Sequence, residues 1–148
     1  MGIHSNLLSW IRDFLTDRKQ RVVVNGRESS WARVISGIPQ GSILGPPLFV
    51  IYINDLPDNL KGHAEMFADD TKIFTHIKDS ADEDILQDDL NSLCDWADKW
   101  QLQFNIQKCG IMHYGRQSSS RVYDMKDGTG RTRLETREGE KDLGVIFD

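Results

Sequence analysis

Two adjacent carboxylates set between apolar residues are the first place where this sequence could do chemistry: Met66-Phe67-Ala68-Asp69-Asp70-Thr71-Lys72-Ile73-Phe74. Neighbouring carboxylates repel, and a turn seldom needs both. A divalent cation would remove the repulsion, because hard cations take carboxylate oxygens. The same pair would also suit a solvated hairpin tip, where Asp is a common turn residue. The second candidate is Ser36-Gly37-Ile38-Pro39-Gln40-Gly41-Ser42-Ile43-Leu44-Gly45-Pro46. Its glycines and prolines fix a backbone that few other residues adopt. A glycine-rich turn ahead of a helix lets a ligand approach bare backbone and offers unpaired N–H groups to anions. Taken alone, it reads equally as a strand–loop–helix connection without a ligand.

These segments need elements to hold them. Leu7, Leu8, Ile11, Phe14 and Leu15 recur at helical spacing, which predicts an amphipathic helix over Ser5–Thr16. Arg21-Val22-Val23-Val24 is β-branched and runs into Asn25-Gly26, a strong hairpin signal, with Ser30–Ser36 as the returning strand. Pro46–Leu56 suits a buried helix that stops before Pro57. Glu65–Ile77 reads as strand, acidic turn, strand. A long helix follows from Ser80, read as the N-cap with Glu83 three residues on, to Trp100. Its apolar face is Leu86, Leu90, Leu93, Ala97 and Trp100, and the acidic residues between Asp79 and Asp98 form a solvated face. The spacing of Trp96 and Trp100 places them in the core. Phe104–Tyr114 and Leu143–Phe147 read as further strands, and Ser118-Ser119-Ser120 as a loop. The expected class is α+β, an antiparallel sheet with helices packed on one face.

With 148 residues, the chain has the length of one domain that buries roughly 70% of its unfolded surface. The apolar stretch Ile43–Ile53 is interrupted by Gly45, Pro46 and Pro47 and is too short to span a membrane. Met1–Asn6 has no basic segment ahead of an apolar one, so no secretory signal is visible. The expectation is an intracellular protein, nuclear or cytoplasmic, with Cys94 and Cys109 as reduced thiols. Zinc is set aside, because Cys94, Cys109 and His113 lack a fourth ligand and paired spacing. A net charge of −5 gives no overall electrostatic footprint for nucleic acid.

The motifs reverse that last expectation. Pro39-Gln40-Gly41, then an apolar helix, then Phe67-Ala68-Asp69-Asp70 resembles the palm of a reverse transcriptase. The fuller text is similar to the non-LTR retrotransposon polymerases of the jockey-like kind. Leu8-Ser9-Trp10-Ile11, Phe14 to Gln20, Ile51 to Pro57, Trp96, Trp100, Phe104-Asn105, Lys108-Cys109 and Lys141 to Val145 follow in family order. Arg116–Gly139 matches least.

The resemblance implies RNA-templated DNA synthesis from deoxynucleoside triphosphates, with an RNA template, a DNA primer and Mg2+, for which Mn2+ can substitute. It implies two-metal catalysis, in which metal ions activate the primer 3′-hydroxyl and stabilise departing pyrophosphate. Asp69 is then the principal metal ligand of its segment and Asp70 its neighbour. Pro39, Gln40, Gly41, Phe67 and Ala68 face substrate, with Gln40 and Gly41 against the template–nucleotide base pair. Lys108 matches the lysine proposed to protonate pyrophosphate, and Lys72 could reach a primer phosphate.

Two departures accompany the resemblance. Pro47 stands where the family usually has an aliphatic residue, so the helix is expected to start one residue late. The family's first palm motif, with its third catalytic aspartate, belongs upstream of the first helix, where this sequence opens with Met1-Gly2-Ile3. On that reading residues 1–148 are one partial reverse transcriptase domain, lacking the start of the fingers and the thumb. An open sheet edge would then remain, through which the chain could dock. The alternative is a catalytically inactive retrotransposon remnant acting, if at all, as an RNA-binding or protein-docking module.

Overall fold

The computed structural model describes His4 and residues 6–115, 120–128, 130–142 and 144–147, which fall in two compact units, residues 1–53 and 54–148. The mixed α+β class holds. Among the described residues the strands are distributed over six two-stranded ladders, five antiparallel and one parallel.

The first unit opens with helix α1 (Asn6–Leu15), as its periodicity predicts, with Trp10 stacked on Phe14 one turn on at 5.8 Å. Ser5, at the head of the expected helix, lies outside the described residues. Asp17 adopts a left-handed φ of 51° just past the helix, and the Arg18 guanidinium donates back to the Leu15 carbonyl at 2.8 Å. Strand β1 (Lys19–Gln20) leads to β2 (Val23–Val24), which pairs with β3 (Arg27–Glu28), and β4 (Ala32–Arg33) closes on β1. Asn25 and Gly26 have φ of 49° and 75°, the pair of positive values that the Asn-Gly hairpin signal promises. The return therefore begins at Arg27 rather than at Ser30, and only Ala32–Arg33 of the expected strand pairs. Between the ladders the Ser29 hydroxyl accepts the Val22 N–H at 3.0 Å, taking a donor that a ladder carbonyl would otherwise hold.

Helix α2 (Gly45–Ile53) starts a residue before Pro46, not late. Two prolines in a first turn remove donors that would be orphaned anyway, so they fit the helix start. The expectation of a buried helix fails: among its residues only Gly45 and Ile53 are buried, and Val50, Ile51 and Tyr52 are exposed.

The second unit holds the core. A single-turn 3-10 helix at Leu56–Asn59 takes in Pro57, and strands β5 (His63–Phe67) and β6 (Asp70–Phe74) form a hairpin. Helix α3 (Ser80–Trp100) follows, capped by Asp79 rather than Ser80. The Asp79 carboxylate accepts from the Ala81 and Asp82 N–H groups at 2.9 and 3.2 Å, and an aspartate at this position also favours the helix dipole. Of the expected stripe Leu90, Leu93 and Ala97 are buried and Leu86 and Trp100 half-buried, with Cys94 and Trp96 buried beside it. The Trp96 indole donates to Asp55 Oδ1 at 3.0 Å, tying α3 to the start of the 3-10 turn.

The other side of the core comes from the part of the chain that the sequence reads least well. Strand β7 (Gly110–Ile111) is all that pairs of the expected Phe104–Tyr114 strand, because Ile106–Lys108 turns into a 3-10 helix to bury Ile106. Strands β8 (Asp124–Asp127) and β9 (Gly130–Arg133) form a hairpin on α3, and β10 (Glu135–Thr136) runs parallel to β7. Strands β11 (Glu140–Asp142) and β12 (Val145–Phe147) form the last hairpin, with Leu143, like Ser118 and Ser119, outside the described residues. Tyr123, Met125 and Leu134 close over Leu90, Cys94 and Ile106, while Ile73, Leu86, Phe104, Cys109 and Ile111 pack against the cluster. Ile73 is the residue through which β6, and so the acidic hairpin, meets this core.

Candidate functional site

The β5–β6 hairpin pairs His63 with Phe74 at its mouth and Phe67 with Asp70 at its tip, leaving Ala68 and Asp69 as a two-residue loop. Cross-strand partners share a face, so Asp70 stands beside Phe67, two residues along from the opposed charges of Glu65 and Lys72. Asp69 and Asp70 are both exposed. Among the described residues no hydrogen bond or ion pair engages either carboxylate.

Two-residue hairpin loops need a positive φ at their first central residue, a position usually given to Gly or Asn. Here it is Ala68, at φ +52°. A Cβ in that conformation costs about 1–2 kcal/mol. The turn is therefore strained, and its strain sits immediately before two carboxylates that have no protein partner among the described residues. Strain of this kind clusters at ligand sites and switch regions.

Two carboxylates fit a divalent cation as part of its ligand set. No group of three or more His, Cys, Asp or Glu side chains suited to a metal assembles among the described residues. The turn supplies anionic oxygens at one exposed point and leaves the other coordination positions to water or substrate oxygens, an arrangement that suits Mg2+.

The glycine-rich loop lies in the first unit and is anchored on both flanks. Upstream, the Arg18 guanidinium donates to the carbonyls of Ser36 and Gly37. Downstream, Ser42 Oγ donates to the Pro39 carbonyl at 2.8 Å and accepts the Gly45 N–H at 2.9 Å. Gly45 is a tight position: a Cβ there would lie 3.1 Å from the Pro39 carbonyl and 3.1 Å from Ser42 Oγ, so both would have to give by a few tenths of an ångström. Between these anchors Gln40 and Gly41 are exposed and Pro39 half-buried. Gly41 has φ +77° and open space where its Cβ would be, so its backbone conformation, not crowding within the chain, requires glycine. Arg18 and Ser42 were not singled out from the sequence. A Ser three residues ahead of a helical N–H is the signal that could have found Ser42.

The structure thus gathers Phe67, Ala68, Asp69 and Asp70 into one turn and Pro39, Gln40 and Gly41 into one loop. Lys108 is exposed at the end of the Ile106–Lys108 3-10 turn, and among the described residues no hydrogen bond or ion pair joins it to the acidic turn. Both cysteines are free; burial pushes the Cys94 and Cys109 thiols above their ordinary values, which keeps them protonated. The Lys61 ammonium is raised by its hydrogen bond to the Asp88 carboxylate at 2.9 Å.

Comparisons with known proteins converge on one family. The model of the reverse transcriptase (RNA-dependent DNA polymerase) family matches residues 1–146. An RNA-directed DNA polymerase from the mobile element jockey of Drosophila funebris is 32% identical over 152 aligned positions, covering 96% of this chain. Its counterpart from Drosophila melanogaster is 31% identical over 119, covering 74%. A probable RNA-directed DNA polymerase from transposon X-element of Drosophila melanogaster is 31% identical over 104, covering 66%. The matched regions span only 16%, 13% and 12% of those three relatives. No solved structure matches the chain. Among the described residues no helix is long and apolar enough to cross a membrane.

Proposed function

The chain belongs to the reverse transcriptase (RNA-dependent DNA polymerase) family, and from that premise we propose that it is palm machinery of a mobile-element RNA-directed DNA polymerase. The family implies a nucleic-acid template, deoxynucleoside triphosphates and a divalent cation. The observation that carries the assignment to residues is the β5–β6 turn, where a strained Ala68 presents two exposed carboxylates that have no protein partner among the described residues.

In this reading Asp69 and Asp70 hold Mg2+ or Mn2+, which when bound lowers the barrier to attack by the primer 3′-hydroxyl and stabilises the leaving pyrophosphate. The hairpin fixes where those carboxylates stand. Phe67 and Ala68 shape the approach to them. Gln40 and Gly41, held between the Arg18 and Ser42 anchors, offer an exposed surface to a base pair, and the missing side chain of Gly41 leaves room for it. Lys108 supplies a proton to pyrophosphate, and Lys72 meets a primer phosphate as a point charge.

Two carboxylates without further protein ligands make a weak cation site. The expected affinity is millimolar at best, roughly −4 kcal/mol. Manganese titration of the 15N-labelled chain tests this. Line broadening should centre on Ala68–Thr71 and vanish in Asp69→Ala. Broadening centred on the acidic residues of α3, with the turn untouched, would refute the assignment.

A further inference from the structure

One carboxylate of the acidic run does not belong to a solvated face. Asp89, in the middle of α3, is 1% exposed. Burying a carboxylate is costly unless its oxygens are filled with donors. Both are: Oδ1 accepts the Lys61 N–H at 2.8 Å and Oδ2 the Gly62 N–H at 2.8 Å. Lys61 and Gly62 immediately precede β5. At Gly62 a Cβ would lie 2.9 Å from Asp89 Oδ2, 2.9 Å from Thr75 Oγ1 and 3.1 Å from the Phe74 carbonyl. The chain enters the hairpin at Gly62, which this carboxylate binds, and leaves it at Thr75, whose hydroxyl and the preceding Phe74 carbonyl crowd the same glycine.

We propose that Asp89 is a positioning residue for the Asp69–Asp70 turn: its buried carboxylate clamps the mouth of the β5–β6 hairpin to α3 and thereby aims the tip. The proposal deepens the cation-site reading above and rests on it. Its logic is that of a lever. Five strand residues at about 3.3 Å each place the tip roughly 17 Å from the mouth, so a tilt of about 5° at the mouth moves the carboxylates by about 1.5 Å. A displacement near 1 Å can lower a rate about 100-fold. Ile73, packed on the core, is an apolar contact that tolerates such a tilt, whereas two short bonds to one carboxylate do not. Glycine at 62 is what lets the backbone come this close.

The test uses the whole 15N-labelled chain and the variants Asp89→Asn, Gly62→Ala and Asp88→Asn. Asparagine keeps one acceptor and turns an NH2 toward a backbone donor, so the Lys61 or Gly62 amide should exchange at least about tenfold faster. Residual dipolar couplings of Met66–Thr71 should shift relative to those of Leu90–Ala97, and manganese broadening at the turn should need at least about threefold more metal. Gly62→Ala retains the carboxylate but forces the mouth open, so it should produce the same shift in turn orientation and carries the test if Asp89→Asn unfolds. Asp88→Asn, which removes only the surface pair with Lys61, should leave the turn couplings unchanged. Faster exchange at Lys61 or Gly62 with turn couplings as in the unmodified chain would overturn the proposal and leave Asp89 a local cap. Shifted couplings in a chain whose turn never binds manganese would support the clamp and overturn the cation reading instead.

Discussion

Replacing Ser42 by alanine isolates the bond that holds the glycine-rich loop against α2. Four N–H groups at a helix start lack intrahelical partners. In α2 the second and third positions are Pro46 and Pro47, which have no N–H, and Leu48 donates to the Leu44 carbonyl at 3.0 Å. The remaining donor is the Gly45 N–H, satisfied by Ser42 Oγ at 2.9 Å. On the acceptor side, the Pro39 carbonyl keeps the Ser42 backbone N–H at 3.3 Å when the hydroxyl is lost. The substitution therefore orphans a single donor. Removing an N-cap hydroxyl costs about 0.5–2 kcal/mol, and burial of Gly45 argues for the upper half, about 1–2 kcal/mol. In local opening that is a factor of roughly 5–30. Amide exchange at Gly45 should accelerate by that factor in Ser42→Ala, with α3 amides unaffected and protection restored in Ser42→Thr. A change below about twofold at Gly45 would refute the capping argument and, with it, the claim that Gln40 and Gly41 sit in an anchored loop.

Two further outcomes follow from the same structure. Gly41→Ala should destabilise the loop by about 1 kcal/mol through its positive φ, and Gly41→Asn, which tolerates that region, by less; equal effects in thermal melts of the two variants would show that φ is not what requires glycine. Because burial raises the Cys94 and Cys109 thiols, the folded chain keeps protons that the unfolded chain releases. Stability from this source is complete below the unfolded thiol value of about 8.5 and declines as pH rises through the folded values. The melting temperature should accordingly fall as pH rises above the unfolded thiol value, and a flat profile there would contradict the burial of both thiols.

How much was legible in the sequence depended on whether an element carried its own signal. Helix α3 has a leucine stripe and an aspartate–serine start; the acidic hairpin has apolar flanks and turn residues. Both emerge within three residues of expectation. The Asn25-Gly26 turn was legible for the same reason, while the extent of its strands was not, because the Ser29 hydroxyl intercepts the Val22 N–H. Around Tyr123, Met125 and Leu134 local signals fail. Strand β8 reads Asp-Met-Lys-Asp and β9 Gly-Arg-Thr-Arg, with few β-branched or aromatic residues to announce a strand. What makes β8 a strand is tertiary: the Gln87 side-chain amide on α3 exchanges two hydrogen bonds with the backbone of Asp124, at 2.9 and 3.1 Å. Asp89 was misread for a related reason. Composition assigns a run of carboxylates to solvent, and only the chain approaching at Gly62 shows that one of them faces inward.

Both candidate segments share a distribution of restraint that bears on how they could work. In the hairpin the mouth is fixed by a buried carboxylate, and the tip carries carboxylates without protein partners among the described residues. In the loop the flanks are fixed by Arg18 and Ser42, and Gln40 and Gly41 between them are exposed. Two unit charges about 4 Å apart repel by about 1 kcal/mol in water and more as water is excluded. A cation turns that repulsion into attraction, so the tip gains most from a ligand where the described residues provide no compensation. Salt-bridging Asp69 or Asp70 within the chain would relieve the repulsion and fill the oxygens a cation needs. The strained Ala68 has the same logic. Glycine would relieve the turn by about 1–2 kcal/mol but widen its conformational range, whereas alanine at positive φ narrows the range of backbone from which the two carboxylates project. Preorganisation of the backbone in this way lowers the reorganisation needed when a ligand binds.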